Sequence, residues 1–104
     1  MLVVTTETIS GKTIKESLGI AQGSVVMAKH VGSDFVAGLR NIVGGEVKSY
    51  TDMMEKARKK AFERMLADAE KQGADAVIGM RYGSSAIMGG ASEMLAFGTA
   101  VKLK

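Results

Sequence analysis

The residues Ser10-Gly11-Lys12-Thr13 end like a loop that cradles phosphate, with a glycine that lets backbone amides approach the anion and a lysine that reaches it. The surrounding pattern does not support that chemistry. The position five residues before Gly11 holds Thr6 instead of glycine, and the residues that follow alternate like a strand instead of opening a helix. A polar turn around Gly11 is the expectation. Gly44-Gly45 is a second place where backbone amides could meet an anion, with Arg40 before the pair and Ser49 and Tyr50 after it. Arginine, hydroxyls and a glycine pair gathered in one connection make Arg40, Gly44, Gly45, Ser49 and Tyr50 the candidate ligand-binding residues. The alternative for the glycines is a helix stop that needs positive φ.

Other chemistries find little to work with. The chain has no cysteine, which removes thiolate nucleophiles, disulfides and thiolate metal sites. His30 is the single histidine and lacks a ligand-spaced partner, so no metal-ligating residues are assigned. The methionines could hold a soft ion such as Cu(I), but Met53, Met54 and Met65 fall on an apolar helix stripe and Met80 and Met94 fall in strands, where they read as core. The carboxylates Glu55, Glu63, Asp68 and Glu70 belong to a polar helix surface, and Glu7, Glu16, Asp34, Glu46 and Asp75 are scattered through turns and strand ends. No general acid–base pair emerges, and no Gly-x-Ser-x-Gly elbow is present. The expectation is a protein without a catalytic residue or a cofactor.

The elements that would position these residues follow from periodicity. Leu2 to Thr6 reads as a strand. Thr13 to Leu18 and Val25 to Ala28 read as the two arms of a hairpin, interrupted from Gly19 to Gly23. Ser33 starts a short helix whose apolar face carries Phe35, Leu39, Ile42 and Val43, and Gly44-Gly45 stops it. A long helix runs from about Ser49 to Gln72, with Ser49 and Asp52 as a capping box, a stripe of Met53, Met54, Ala57, Ala61, Met65 and Ala69, and Gly73 as its end. Ala76 to Gly83 is a strand, Gly83 to Ser92 a Gly/Ser/Ala-rich connection, and Met94 to Leu103 the last strand.

That last strand presents Leu95, Phe97, Val101 and Leu103 on one face and Met94, Ala96, Gly98 and Ala100 on the other. Two apolar faces both call for cover. Two helices cover only one side of so small a sheet, so a second copy of the chain is expected over the other face or the edge.

Composition sets the outer bounds. A chain of 104 residues with 46% hydrophobic and 24% charged residues has the size and make-up of one globular domain, spanning residues 1–104. The net charge of +3 permits a nucleic-acid partner, but Lys56, Arg58, Lys59, Lys60 and Arg64 point in separate directions around a helix. Glu55–Lys59 and Lys59–Glu63 sit at ion-pair spacing, as on a solvated face. No nucleic acid and no membrane is expected as a partner. No apolar run is long enough to span a bilayer, and the expected location is the cytoplasm.

The order of the pieces carries a resemblance. Thr5-Thr6, Leu18-Gly19-Ile20, Val25-Val26, Arg40-Asn41-Ile42-Val43-Gly44-Gly45, Ser49-Tyr50, Gly73-Ala74-Asp75-Ala76-Val77-Ile78-Gly79 and Gly98-Thr99-Ala100-Val101 together resemble the YbjQ-like family of bacterial and archaeal proteins, over nearly the full chain. The resemblance implies a two-layer α+β fold of the dodecin-subunit type, an antiparallel sheet packed against one long helix plus a short helix. It also implies a homo-oligomeric ring, typically a pentamer, and a family label of heavy-metal binding. Three readings follow: a non-enzymatic ring holding a small ligand or ion at subunit junctions, a heavy-metal-binding protein, or an anion-binding or weakly enzymatic site near Gly44-Gly45.

Overall fold

A computed structural model of the protein describes residues 1–28, 48–89 and 91–104, with the side chains of Lys48 and Ser49 outside the description. The short helix expected behind Ser33 lies outside the described residues, as does His30. The chain forms strand β1 (Leu2–Val3), strand β2 (Ile14–Ala28), helix α1 (Lys48–Lys71), strand β3 (Ala76–Met88) and strand β4 (Ala91–Leu103). The four strands make one sheet in the order β1-β3-β4-β2. Its class is α+β, as expected, but the sheet is mixed: β2 and β3 flank β4 antiparallel, while β1 runs parallel to β3 through Leu2–Ala76 and Val3–Val77.

Helix α1 forms where the apolar stripe places it. Met53, Ala57, Ala61, Met65 and Ala69 recur every fourth residue, and all five are buried. The helix begins at Lys48, so Ser49 sits within the first turn instead of capping it from outside. At the other end Gly73 takes φ 79°, its N–H donates to the Glu70 carbonyl, and the Ala74 N–H donates to the Ala69 carbonyl. This paired closure satisfies two helix-end carbonyls. The charged residues Glu55, Lys56, Arg58, Lys59, Lys60 and Glu63 are exposed, as a solvated face should be. The Glu55–Lys59 and Lys59–Glu63 spacings do not close into ion pairs; a salt bridge among the described residues joins Lys102 to Asp75 at 3.7 Å.

Residues 14–28 form one continuous strand and not two arms of a hairpin. The glycines that read as an interruption have other uses. Gly19, at φ 140°, lies at a pairing irregularity between Ser17 and Gly19, and a second irregularity lies between Ile14 and Glu16. Each inserts an extra residue into β2 and turns the strand without reversing it. As a result Ile14 and Leu18, read as sharing one face, join different clusters: Leu18 packs beneath α1 and Ile14 with Ile9, Ala76 and Val101. The Gly/Ser/Ala-rich stretch from Gly83 is likewise strand up to Met88, and the chain reverses between Met88 and Ala91. Small residues carry no periodicity to read, so their strand state was hidden.

Gly23 is where the two layers come closest. A Cβ there would lie 2.5 Å from both the Ala61 carbonyl oxygen and Arg64 Cβ, and would also strike the Met65 backbone nitrogen. The helix therefore rests its backbone on that of β2, flanked by Ala21, Ala96 and Ala100, which are fully buried. Opposite α1, the described residues cover the sheet near one end, where Val4 and Ile9 pack on Ala76, Ile78, Val101 and Leu103.

Gly23→Ala is expected to destabilise the protein by roughly 1–3 kcal/mol, because the helix backbone must move to admit the methyl. Gly83→Ala, whose Cβ would meet nothing within 4 Å, should leave stability unchanged or slightly raised. Urea unfolding of the two variants beside wild type checks both; equal midpoints would show that α1 is not seated on Gly23.

Candidate functional site

Of the five candidate ligand-binding residues, Arg40, Gly44 and Gly45 lie outside the described residues, and Ser49 is described only as backbone in the first turn of α1. Tyr50 is placed in detail. The same first turn carries its half-buried ring toward β4, where its hydroxyl lies 2.7 Å from the Ser92 hydroxyl. Ser92 is 5% exposed and is the buried polar side chain among the described residues. No sequence motif marks Ser92. Its partners in the sheet are Ala86 and Met27, and Met27 packs in the same core as Met54 and Met94. A hydroxyl pair with apolar neighbours can donate one proton outward while holding the other between its oxygens, which suits a polar group of a ligand.

A second polar constellation runs along the helix where it passes β2. Arg64 and Asp68 on α1 and Gln72 just past its end are spaced four apart and so form one file. Asp68 Oδ2 accepts from the Gln22 N–H at 2.9 Å, Arg64 Nη1 donates to the Ser24 carbonyl at 2.7 Å, and Gln72 Nε2 donates to the Ile20 carbonyl at 2.8 Å. Ile20, Gln22 and Ser24 are alternate residues of a strand at the sheet's edge, so their outward backbone groups would otherwise face water. An open cleft of about 480 Å³ lies beside this file, lined by Gln22, Ser24, Arg64, Asp68 and Lys71 among others. Arg64 and Asp68 are committed to the strand, which leaves Lys71 as the cleft's available charge. This file was readable only as solvated surface, because its partners are backbone groups that no side-chain pattern reveals.

The remaining candidates resolve into structure. Gly11, from the Gly-Lys-Thr ending, takes φ 76° in a turn closed by the Lys12 N–H on the Ile9 carbonyl, and no helix follows it. Met53, Met65, Met80 and Met94 are buried in the core. Among the described residues no three His, Cys, Asp or Glu side chains gather as a metal site. None of the described helices is long and apolar enough to cross a membrane, which leaves membrane crossing by strands unaddressed.

Residues 1–104 match the sequence model of the YbjQ family, whose description reads "Putative heavy-metal-binding". The chain belongs to this family. Among curated relatives, a UPF0145 protein of Psychromonas ingrahamii is 57% identical over 104 residues, covering all of this chain and 99% of the relative. A UPF0145 protein of Methanosarcina acetivorans is 54% identical over 103 residues, covering 99% of this chain and 97% of its own. One from Thermotoga maritima is 56% identical over 104 residues, covering 100% of this chain and 98% of the relative. Among solved structures, a protein of unknown function from Pediococcus pentosaceus, of the DUF74 family, superposes with a TM-score of 0.63 at 14% identity. The match covers 100% of this chain and 98% of that one, and at that identity it speaks for the fold.

Tyr50→Phe removes one half of the hydroxyl pair and leaves Ser92 buried without its partner. The expected cost is about 1–3 kcal/mol, read as a lower urea midpoint, and the double variant Tyr50→Phe/Ser92→Ala should recover part of it. Additive losses in the two single variants would show that the hydroxyls do not interact.

Proposed function

We propose that this YbjQ-family chain is a non-enzymatic protein that assembles with its own copies and holds a small ligand or ion where subunits meet. The observation that carries the reading is the sheet face turned away from α1. Ile20, Val26 and Phe97 lie on that face at 69%, 59% and 37% exposure, with Leu95 between them. Exposed apolar side chains gathered on one sheet face, here interleaved with Gln22 and Ser24, support an interaction surface. A copy of the chain is the occupant that fits a family of short, single-domain relatives, and a closed ring of the dodecin type is the form the family resemblance supports. The ligand-binding residues proposed are Arg40, Gly44, Gly45, Ser49 and Tyr50. The cytoplasm is the proposed location, and neither nucleic acid nor membrane is part of the reading.

A second reading takes the family description at its word. Met54 of α1 and Met27 of β2 pack against the buried core that contains Met94, and thioether sulfur selects soft ions such as Cu(I) over Zn(II) or Ni(II). Elemental analysis of untagged protein, followed by titration with Cu(I), Zn(II) and Ni(II), separates the readings. Stoichiometric uptake of Cu(I) alone supports the methionine cluster, and no uptake of any ion removes it.

Because Phe97 stands on the uncovered face, Phe97→Asp should leave the subunit folded and prevent assembly. Light scattering at micromolar concentration is expected to give an oligomer for wild type and a smaller species for the variant, with matching far-ultraviolet circular dichroism. A wild-type monomer would sink the proposal.

A further inference from the structure

The pairing of β3 with β4 slips in the middle. Ile78 opposes Thr99 and Arg81 opposes Phe97, so Gly79 and Met80 stand together across from Gly98. Gly79 takes φ 60°, and a Cβ on Gly98 would lie 2.6 Å from Val77 Cγ1 and 2.9 Å from the Ile78 carbonyl oxygen. The two glycines together admit a β-bulge pressed against its partner strand.

A regular strand sends successive N–H groups to opposite sides, but here the Gly79 and Met80 N–H groups both go to the N-terminal segment. Gly79 donates to the Thr6 carbonyl at 2.8 Å and Met80 to the Val4 carbonyl at 3.0 Å. Arg81, next in the chain, donates through Nη1 to the carbonyl between them, that of Thr5, at 2.7 Å, and to the Met80 carbonyl at 2.9 Å. Three consecutive residues of β3 thus hold three consecutive carbonyls.

The segment they hold is otherwise lightly attached. Strand β1 is two residues long, Thr5 to Thr8 are exposed, and within residues 1–10 Ile9 is buried while Val3 and Val4 are half-buried. The Arg81 side chain is itself exposed, so its bonds compete with water. Few buried apolar contacts and backbone bonds near solvent mark a segment that opens apart from the global transition. The core beneath α1 is made by residues such as Ala21, Ala61, Met65 and Ala96, and takes Val3 of the segment at its margin.

We infer that residues 1–10 form a strap, latched by the Gly79–Arg81 bulge, which opens and closes as a unit while α1, β2, β3 and β4 stay folded. In the closed form Val4 and Ile9 lie over Ala76, Ile78, Val101 and Leu103. Opening bares that cluster on the face that also carries Phe97, so the latch controls how far the apolar surface extends. The strap holds whether or not copies of the chain assemble.

The test is amide-resolved hydrogen–deuterium exchange on the full chain, with wild type beside Arg81→Ala and rates corrected for intrinsic exchange. In wild type the Val4, Gly79 and Met80 amides, which donate across the contact, should share one opening equilibrium, at least roughly tenfold more open than that of the Ala61 and Met65 amides in α1. Loss of a bond from a charged donor in Arg81→Ala should speed the first three by about fivefold or more and the α1 pair by less than about twofold. Equal protection of the two groups in wild type overturns the strap, as does a variant that speeds both groups alike or neither. Widely different rates among Val4, Gly79 and Met80 overturn its opening as a unit. Should the variant fail to fold, the wild-type rates alone decide.

Discussion

The contact of α1 with β2 at Gly23 governs the rest of the architecture. Hydrogen at that position lets the helix backbone at Ala61 and Met65 come down onto the strand. Once the helix sits that low, its neighbours must be small, and Ala21, Ala57, Ala69, Ala96 and Ala100 are. The low seat also brings the next file of the helix, Arg64, Asp68 and Gln72, within hydrogen-bond reach of the strand's outer backbone groups. A bulkier interface would lift that file out of range. One glycine thus sets the interlayer distance and, through it, the state of an edge.

Cover is distributed unevenly over the sheet as a consequence. The helix finishes one face over β2 and β4, and the segment from Val4 to Ile9 finishes one end of the other face. Among the described residues, exposed apolar side chains remain on the outer face around Phe97 and on the far half of β3. Membership of the YbjQ family and the shared fold of a distant DUF74 structure are consistent with an architecture retained across large sequence change. Small residues at a close-packed interface are the kind of constraint that keeps a fold while side chains elsewhere vary.

Much of this was legible from residue types alone. The stripe from Met53 to Ala69 and the stop at Gly73 are found as read, and the two-faced last strand is found three residues longer, beginning at Ala91 instead of Met94. The long strand β2 was not legible, because Gly19 and Gly23 look like turn residues while one serves an irregularity and the other a close approach. The parallel pairing of β1 was hidden by its length of two residues. In the candidate site Tyr50 was legible as a polar residue at a helix start, but Ser92 was not, since a lone serine in a strand carries no signal until its neighbour across space is known. The file of Arg64, Asp68 and Gln72 was present as a four-residue spacing, and only the crossing of the helix over an edge gives it meaning.

The three bonds of that file join residues 40 to 52 positions apart in the chain. During synthesis β2 emerges well before the helix that protects its edge, and β4, its partner on the other side, emerges later still. For that interval the strand is a bare template with both backbone rows open, the condition under which unfinished chains stick to one another. Chain order puts α1 ahead of β4, so the helix reaches the outer row of β2 from a segment that precedes the strand on its other side. The helix thus guards an edge strand of its own sheet through three hydrogen bonds drawn from one file.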